Sequence, residues 1–271
     1  MKNQMIVLIT DFGVGSIYTG LMKAVIHSIY HDAEIIDLTH NIQPQNIKQA
    51  AFLLKNSIAY FPEQTIFVIV VDPGVGSNRK SLIVKLEEKY FVFPDNGIIS
   101  YVIGENSEGE AYELTNKDYF REKVSSTFHG RDIFAPVAAH LAGGVDIKKF
   151  GNRINLSDIV QIPPPLLNKE SFNCWLGEII YSDSFGNIIT SLNTEDLGIE
   201  NSDPDLKDNW RFEVSNQIVK GLKRNYSEAN PGELLAYVGS FGYIEIGISN
   251  GNAAQALNAV SGNKIRAIKF S

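Results

Sequence analysis

Cysteine is almost absent from this chain: one residue, Cys174, in 271. A single thiol excludes internal disulfides and any metal centre built on several thiolates. It falls in an apolar, strand-like run from Phe172 to Ile180, where it is expected to be buried as a small hydrophobe. Long apolar runs are missing too. No stretch approaches the ~20 residues needed to span a bilayer, and Met1 to Gln4 lead straight into a short strand-like run. Neither a membrane span nor a signal peptide is expected, and a cytoplasmic enzyme is the default. The third absence is of basic clusters. With 24 Lys and Arg against 31 Asp and Glu, the formal net charge is −7. A phosphate backbone requires a concentrated cationic footprint, so nucleic acid is not an expected partner. No internal repeat or low-complexity tract occurs.

What is present is enough apolar residue, 44% of the chain, to bury a full core in one large or two medium domains. The organising stretch is Val71-Asp72-Pro73-Gly74-Val75-Gly76-Ser77-Asn78-Arg79. The run before it, Thr65 to Val71, is continuously apolar after its first residue and mostly β-branched, as in a parallel strand buried on both faces. That places Asp72 at the carboxyl end of a central strand, where open α/β sheets hold their ligands. Pro73, Gly74 and Gly76 forbid regular structure there and let backbone approach a ligand closely. Arg79 lies one short loop away. The segment from Gly74 to Ser81 resembles a phosphate loop, but Arg79 stands where the second Gly belongs, and Ser81 to Leu86 reads as a strand where a helix is needed.

Met5 to Thr10 is a second apolar strand ending in a carboxylate, Asp11, followed by Phe12 and Gly13. Helical spacing at Ile17, Leu21, Val25 and Ile29, a strand at Glu34 to Leu38, and a helix with Ile47, Ala51, Leu54 and Ile58 on one face follow in turn. Alternating strands and helices predict an α/β N-terminal domain with a mostly parallel central sheet. Gly13-Val14-Gly15 falls short of a dinucleotide fingerprint because Tyr18 takes the place of the third Gly. Pro94-Asp95-Asn96-Gly97 marks a tight turn after a strand ending at Phe93. Thr127-Phe128-His129-Gly130-Arg131-Asp132 precedes an apolar helix over 133–141, which puts His129 just outside a helix start. Lone histidines usually serve as structural hydrogen-bonding groups; the flanking acid, arginine and glycine argue for more.

Ile162-Pro163-Pro164-Pro165-Leu166 is a stiff connection. The domains are accordingly 1–162, a proline-rich linker 163–168, and 169–271. The last contains six strand-like segments and little helix, the pattern of a smaller all-β, barrel-like domain. Within it Asp183-Ser184-Phe185-Gly186-Asn187 interrupts two strands. Phe185 is either a plug for the core under a hairpin turn or a face on which a planar base stacks, with Asn187 reading the base edge. Gly239-Ser240-Phe241-Gly242-Tyr243 repeats the style, offering a hydroxyl near backbone N–H groups.

Taken in series, Thr10 to Gly13, Val71 to Gly76 with Arg79, Pro94 to Gly97, Phe128 to Asp132, Asp183 to Asn187 and Gly239 to Tyr243 follow the order and spacing of one family. The sequence resembles the S-adenosyl-L-methionine (SAM) hydroxide adenosyltransferases, or adenosine-forming SAM hydrolases, relatives of the fluorinating and chlorinating SAM enzymes. The resemblance implies hydrolysis of SAM to adenosine and L-methionine by water or hydroxide attack at C5′. It also implies a homotrimer that binds SAM between the N-terminal domain of one subunit and the C-terminal domain of its neighbour. SAM enters as substrate, with no cofactor and no metal. The family's catalytic triad falls on Asp72, Arg79 and His129, and its ribose-binding acid on Asp11. Phe185 and Asn187 match the adenine contacts, Asp183 and Ser240 the methionine end, and Asp95 and Asn96 a loop near the site. The halogenating branch carries Tyr at the position of Asp72, which disfavours a halide nucleophile. One departure is visible: Ser16 stands where the family often has a second acid before Tyr18, so recognition of the amino-acid end is either weaker or supplied by Asp183 alone.

The chemistry suits these residue types. A hydroxide-like oxygen and a sulfonium lose opposite charges as they react, which a dry site favours. Arg79 stays protonated and cannot be the base. Residue type leaves both Asp72 and His129 open as the proton acceptor. Two other readings use the same residues. A binding module would hold SAM or adenosine without turnover, and a metal-dependent hydrolase would draw ligands from Asp11, Asp72, Asp95, His129 and Asp132.

Overall fold

A computed structural model describes residues 4–104, 107–199 and 209–270; the first three residues of the lead-in, Met1 to Asn3, lie outside the described residues. The chain forms two compact units, Met1–Pro163 and Pro164–Ser271.

The first unit is built on a seven-stranded mixed sheet in the order β2-β1-β3-β5-β4-β6-β7. Its strands are β1 (Met5–Thr10), β2 (Glu34–Thr39), β3 (Ile66–Val70), β4 (Ser81–Leu86), β5 (Lys89–Pro94), β6 (Gly109–Leu114) and β7 (Gly151–Ile154). The pairs β1·β2, β1·β3 and β3·β5 are parallel, and β4, β6 and β7 extend the sheet antiparallel. Every residue of β3 is buried, which accounts for its unbroken apolar run. Its side chains alternate between two cores. Ile66, Val68 and Val70 pack on one face with α1 (Ile17–Ile29) and α3 (Ala135–Ala142), while Phe67 and Ile69 pack on the other with α2 (Ile47–Ser57). Ser16 caps α1 through its hydroxyl, and Asn46 caps α2.

The helix expected from Ile17, Leu21, Val25 and Ile29 is present, but it turns a different face inward. Thr19, Met22, Val25 and Ile26 are buried, whereas Ile17, Leu21 and Ile29 are exposed. The i, i+4 ladder marks a helix without choosing between two apolar stripes about one residue apart.

The second unit is an antiparallel sheet in the order β12-β11-β15-β9-β10-β14-β13, with β8 added against β9. The strands are β8 (Leu167–Ser171), β9 (Cys174–Ser182), β10 (Ile188–Asn193), β11 (Trp210–Val214), β12 (Gln217–Lys220), β13 (Leu234–Val238), β14 (Tyr243–Ile248) and β15 (Lys264–Lys269). A bridge between Lys223, just past β12, and Tyr237 in β13 brings the two ends together into a nearly closed barrel. Trp175, Trp210, Phe212, Ile244 and Ile246 fill it. Short helices α4 (Thr194–Leu197) and α5 (Ala253–Ala256) follow β10 and β14. Leu167 and Asn168, at the end of the proline-rich stretch, already pair with β9. Cys174 is a correction: as the first residue of β9, beside the exposed β8–β9 turn, it is half-buried, with its thiol 3.6 Å from Glu170 Oε2.

Candidate active site

The loop after β3 folds back on itself in two tight turns, with Val75 N–H donating to Asp72 O and Ser77 N–H donating to Gly74 O. The reversal returns Arg79 to Asp72. Arg79 Nε lies 2.9 and 3.0 Å from the two Asp72 carboxylate oxygens, and its Nη2 closes on Asp72 Oδ2. Nη1 donates to Ser81 Oγ at 2.8 Å, and the guanidinium sits 5.5 Å from the centre of the Phe134 ring. The Nη2 atom is also 2.8 Å from His129 Nδ1. Asp72, Arg79 and His129 therefore form one hydrogen-bonded constellation, with the guanidinium in the middle.

A guanidinium only donates hydrogen bonds, so Nδ1 of His129 is the acceptor and the ring proton resides on Nε2. Burial pushes the His129 pKa below 6.5, and the Arg79 charge pushes it the same way. The imidazole is neutral near pH 7.

His129 is held in place by its own segment. It leads into a π-helical turn, Gly130–Phe134, in which Asp132 is fully buried. Asp132 takes two hydrogen bonds from Arg131 and one from Ser125 N–H. Burial raises the Asp132 pKa, but these donors outweigh it and hold the carboxyl below its ordinary value. Gly76, at φ +78°, completes the arrangement. A Cβ there would lie 2.3 Å from Ser126 O, so only glycine lets the Asp72–Arg79 loop pack against the segment that carries His129.

These elements enclose a cleft of about 240 Å³ lined by Asp11, Gln45, Asp72, Val75, Phe128 and His129 among others. Asp72 and His129 face it, and Arg79 lies behind them. Asp11 accepts a hydrogen bond from Gln45 N–H through Oδ2, and Phe12, Tyr18 and Phe128 form an edge-to-face cluster beside it. Asp95 and Asn96 do not line this cleft. Asp95 is buried and accepts from Val160 N–H, with burial raising its pKa; Asn96 donates to Val71 O at 2.9 Å, tying down the end of β3. Of the five residues named as possible metal ligands, Asp72 and His129 share Arg79, Asp132 is paired with Arg131, and Asp11 and Asp95 accept backbone N–H groups. Among the described residues no group of three or more His, Cys, Asp or Glu side chains is placed to hold a metal ion.

Three nearby residues, Thr10, His40 and Asp37, resemble a catalytic triad, but the hydroxyl that would be its nucleophile is buried. Thr10 Oγ1 is 2.9 Å from His40 Nδ1, and His40 Nε2 is 3.1 Å from Asp37. Thr10 is fully buried, and the group fastens the Asp11 loop, where Gly13 N–H donates to His40 O.

The second unit carries its own cleft, of about 580 Å³, lined by Asp183, Phe185, Asn187, Tyr226, Tyr237, Ser240 and Glu245 among others. Asp183 Oδ1 accepts from Phe185 N–H and Asn187 N–H, folding the β9–β10 hairpin turn around its own carboxylate. Phe185 is 78% exposed, so the turn does not plug the core. Ser240 sits in the β13–β14 hairpin, whose ends are joined by Gly239 N–H donating to Tyr243 O. Gln45, Tyr226, Tyr237 and Glu245 are lining residues that sequence reasoning did not find.

Fold and site together define a two-unit protein, α/β followed by β-barrel, with an acid–guanidinium–imidazole constellation at the carboxyl edge of its parallel strands. Residues 6–151 match the SAM hydroxide adenosyltransferase N-terminal domain and residues 177–266 the corresponding C-terminal domain. The chain belongs to this family. It is 31% identical to the (R)-S-adenosyl-L-methionine hydrolase of Salinispora tropica over 95% of each chain. It is 25% identical to the fluorinase of Actinopolyspora mzabensis over 96% of each. Among solved structures, an uncharacterized conserved protein from Thermotoga maritima superposes with a TM-score of 0.85 at 36% identity, covering 98% of this chain and all of that one.

Proposed function

We propose that this enzyme hydrolyses S-adenosyl-L-methionine at C5′, releasing adenosine and L-methionine. The observation that carries the reading is the Asp72–Arg79–His129 constellation, two of whose members face the cleft. In this reading the Nε2–H of neutral His129 holds the oxygen of the attacking water. As the O–C5′ bond forms, the C5′–S bond breaks and its electron pair returns to sulfur, leaving neutral methionine thioether. The water proton, which becomes strongly acidic as oxygen donates its electrons, passes to the Asp72 carboxylate. Arg79 fixes the two groups at a set separation and stays protonated throughout. Holding oxygen, carbon and sulfur in line supplies much of the acceleration.

Asp11 would hold the ribose hydroxyls through the oxygen not taken by Gln45. Phe185 and Asn187 would hold the adenine, and Asp183 and Ser240 the methionine end. Asp95 and Asn96 would act by positioning, through the backbone groups they bind. Ser16 is spent on capping α1, so recognition of the ammonium falls to the barrel cleft. We further infer a cytoplasmic homotrimer in which a neighbour's barrel cleft completes each site. Supporting this are the division of substrate contacts between two separate units and the exposure of Val14, Ile17, Tyr18 and Leu21 beside the Asp11 loop. No helix among the described residues is long and apolar enough to cross a membrane.

Incubation with SAM in ¹⁸O-water tests the reaction. Label is expected in the 5′-hydroxyl of adenosine; unlabelled adenosine, or intact SAM after a single turnover at high enzyme concentration, overturns it. Asp72, in place of the halogenating branch's Tyr, also predicts no 5′-halogenated nucleoside in saturating chloride or fluoride.

A further inference from the structure

Arg79 joins the two groups that face the reacting cleft, and its hydrogens can be assigned one by one. A guanidinium carries five, fixed in one plane. The Nε hydrogen is shared between the two Asp72 oxygens, and the two on Nη2 go to Asp72 Oδ2 and His129 Nδ1. The two on Nη1 go to Ser81 Oγ at 2.8 Å and Lys80 O at 3.2 Å, neither of which lines the cleft. All five are taken, so the guanidinium is a strut between the cleft and the sheet behind it.

The sheet end of the strut is the rigid one. Ser81 is the first residue of β4, is 9% exposed, and pairs with Pro94 of β5, while β6 flanks β4 on its other side. Strand alternation puts its side chain on the face of Ile83, whose core includes Phe134, the ring beside the guanidinium. Lys80 O is fixed as well, because it also accepts from Asp95 N–H at 2.9 Å. The Arg79 side chain is itself 9% exposed, so an Nη1 hydrogen that lost Ser81 Oγ would be a buried donor without a partner. Turning the guanidinium to find another acceptor strains the contacts on its opposite edge. Asp72 holds that edge by charge and through both oxygens, whereas His129 holds it by one neutral nitrogen. The bond to His129 is the one that gives.

We propose that Ser81 is a positioning residue for the reaction: its hydroxyl sets the angle of the Arg79 guanidinium and thereby keeps His129 Nδ1 an acceptor, with the ring proton on Nε2. Ser81 acts only through Arg79. The inference rests on the hydrolase reading and adds to it the group that holds the imidazole in its working form.

The test pairs steady-state turnover of SAM with ¹⁵N NMR titration of the histidine rings in the full-length protein, the second of which needs no turnover. His129→Ala identifies the His129 signals by their loss. The charged groups around His129 are Arg79 and Asp72 on the loop after β3 and Asp132 on its own segment, and Ser81→Ala leaves all three in place. Wild type is expected to carry the His129 proton on Nε2, with a midpoint below 6.5. In Ser81→Ala the midpoint is expected to rise by at least about half a unit, or about threefold in proton affinity, as Nδ1 loses its donor. The same variant is expected to lower kcat about tenfold with KM within about twofold of wild type. Ser81→Thr keeps the hydroxyl on a residue that suits a strand and is expected to restore both readings. Ser81→Val has the shape of Thr without the hydroxyl and is expected to match Ser81→Ala; it decides the outcome if melting shows that the alanine variant does not fold. An unmoved His129 midpoint in a folded Ala or Val variant overturns the positioning role, whatever becomes of kcat, and leaves the hydrolase reading standing. A midpoint that rises as expected in a protein whose wild type releases no adenosine from SAM upholds the hold of Ser81 on His129 and overturns the hydrolase reading.

Discussion

The two clefts are built on opposite electrostatic plans. In the α/β unit the charges of the constellation and its support are paired within the chain, Asp72 with Arg79 and Asp132 with Arg131, while Asp11 accepts from the Gln45 N–H. The space left is small, about 240 Å³. The barrel cleft is more than twice that size and is lined by two carboxylates, Asp183 and Glu245, with no Lys, Arg or His among its lining residues. Burial raises the Glu245 pKa, and Asp183 raises it further. A cleft of that kind gains most from a ligand that brings its own positive charge, as a sulfonium amino acid does. One cleft holds its groups ready for a reaction; the other is completed by what it binds. Substitutions should divide accordingly, the first kind acting on kcat and the second on KM.

The largest effects are expected in the first cleft. Asp72→Asn, Arg79→Ala and His129→Ala should each lower kcat by about 10²–10⁴-fold, the usual range for positioned acid–base groups, with SAM affinity within a fewfold of wild type. Rapid-quench turnover and equilibrium binding separate the two quantities; near wild-type rates in all three would sink the assignment. Next is Asp132→Ala, which strips Arg131 and the Ser125 N–H of their shared acceptor. Loss of one partner of a buried pair costs ~3 kcal/mol, reduced here because Arg131 is partly exposed. Urea unfolding should show a loss of about 2 kcal/mol, together with reduced kcat as His129 loses its support.

Where the chain could be read from sequence, and where not, follows from burial. The strand carrying Asp72 is apolar throughout because both faces are covered, and Trp210–Val214 and Leu234–Val238 occur at the expected residues because the barrel interior demands alternation or continuity. The strands Gly109–Leu114, Gly151–Ile154, Leu167–Ser171 and Gln217–Lys220 escaped notice. They lie at or next to sheet edges, or off the main sheet path, and carry Glu, Lys, Arg or Gln; their partners' backbones, more than their own side chains, specify them. The constellation was visible as residue types, but its order was not: that the guanidinium stands between acid and imidazole depends on two turns between Asp72 and Arg79. Glu245 had a readable signal that went unused. Between Ile244 and Ile246, both fully buried, strand alternation turns an acid away from the core, toward the face that Tyr237 shares. Gln45 and Tyr226 offer no comparable pattern, being loop and single-turn residues placed by tertiary structure.

A smaller effect should come from the second cleft. Phe185→Ala removes an exposed ring whose burial would begin only when a planar base covers it. Stacking of this kind is worth about 1–2 kcal/mol, so KM for SAM should rise about 5–30-fold with kcat nearly unchanged. Because the ring supports nothing in the free protein, the melting temperature should not move. A fall in kcat equal to the rise in KM would blur the division between the clefts.

The smallest expected effect is on pH dependence, and it tests whether Arg79 acts on His129 electrically as well as by position. The proposed role needs the neutral ring, with its proton on Nε2. Burial and the Arg79 charge both lower the His129 pKa from 6.5, so the acid limb of kcat/KM should have its midpoint below 6.5, where the ring takes a second proton on Nδ1 and loses its hydrogen bond to Arg79. The same shift makes the folded state bind that proton less readily than the unfolded chain. Stability contributed by this site is therefore constant above 6.5 and declines as pH drops from there toward the folded-state value. Arg79→Gln keeps a donor for Nδ1 but deletes the charge. Its residual activity should show the acid limb displaced upward, because burial is then opposed by the Asp72 and Asp132 charges, which raise the pKa, without the Arg79 charge to reinforce it. A limb that stays in place would assign the whole shift to burial and leave Arg79 a purely geometric part.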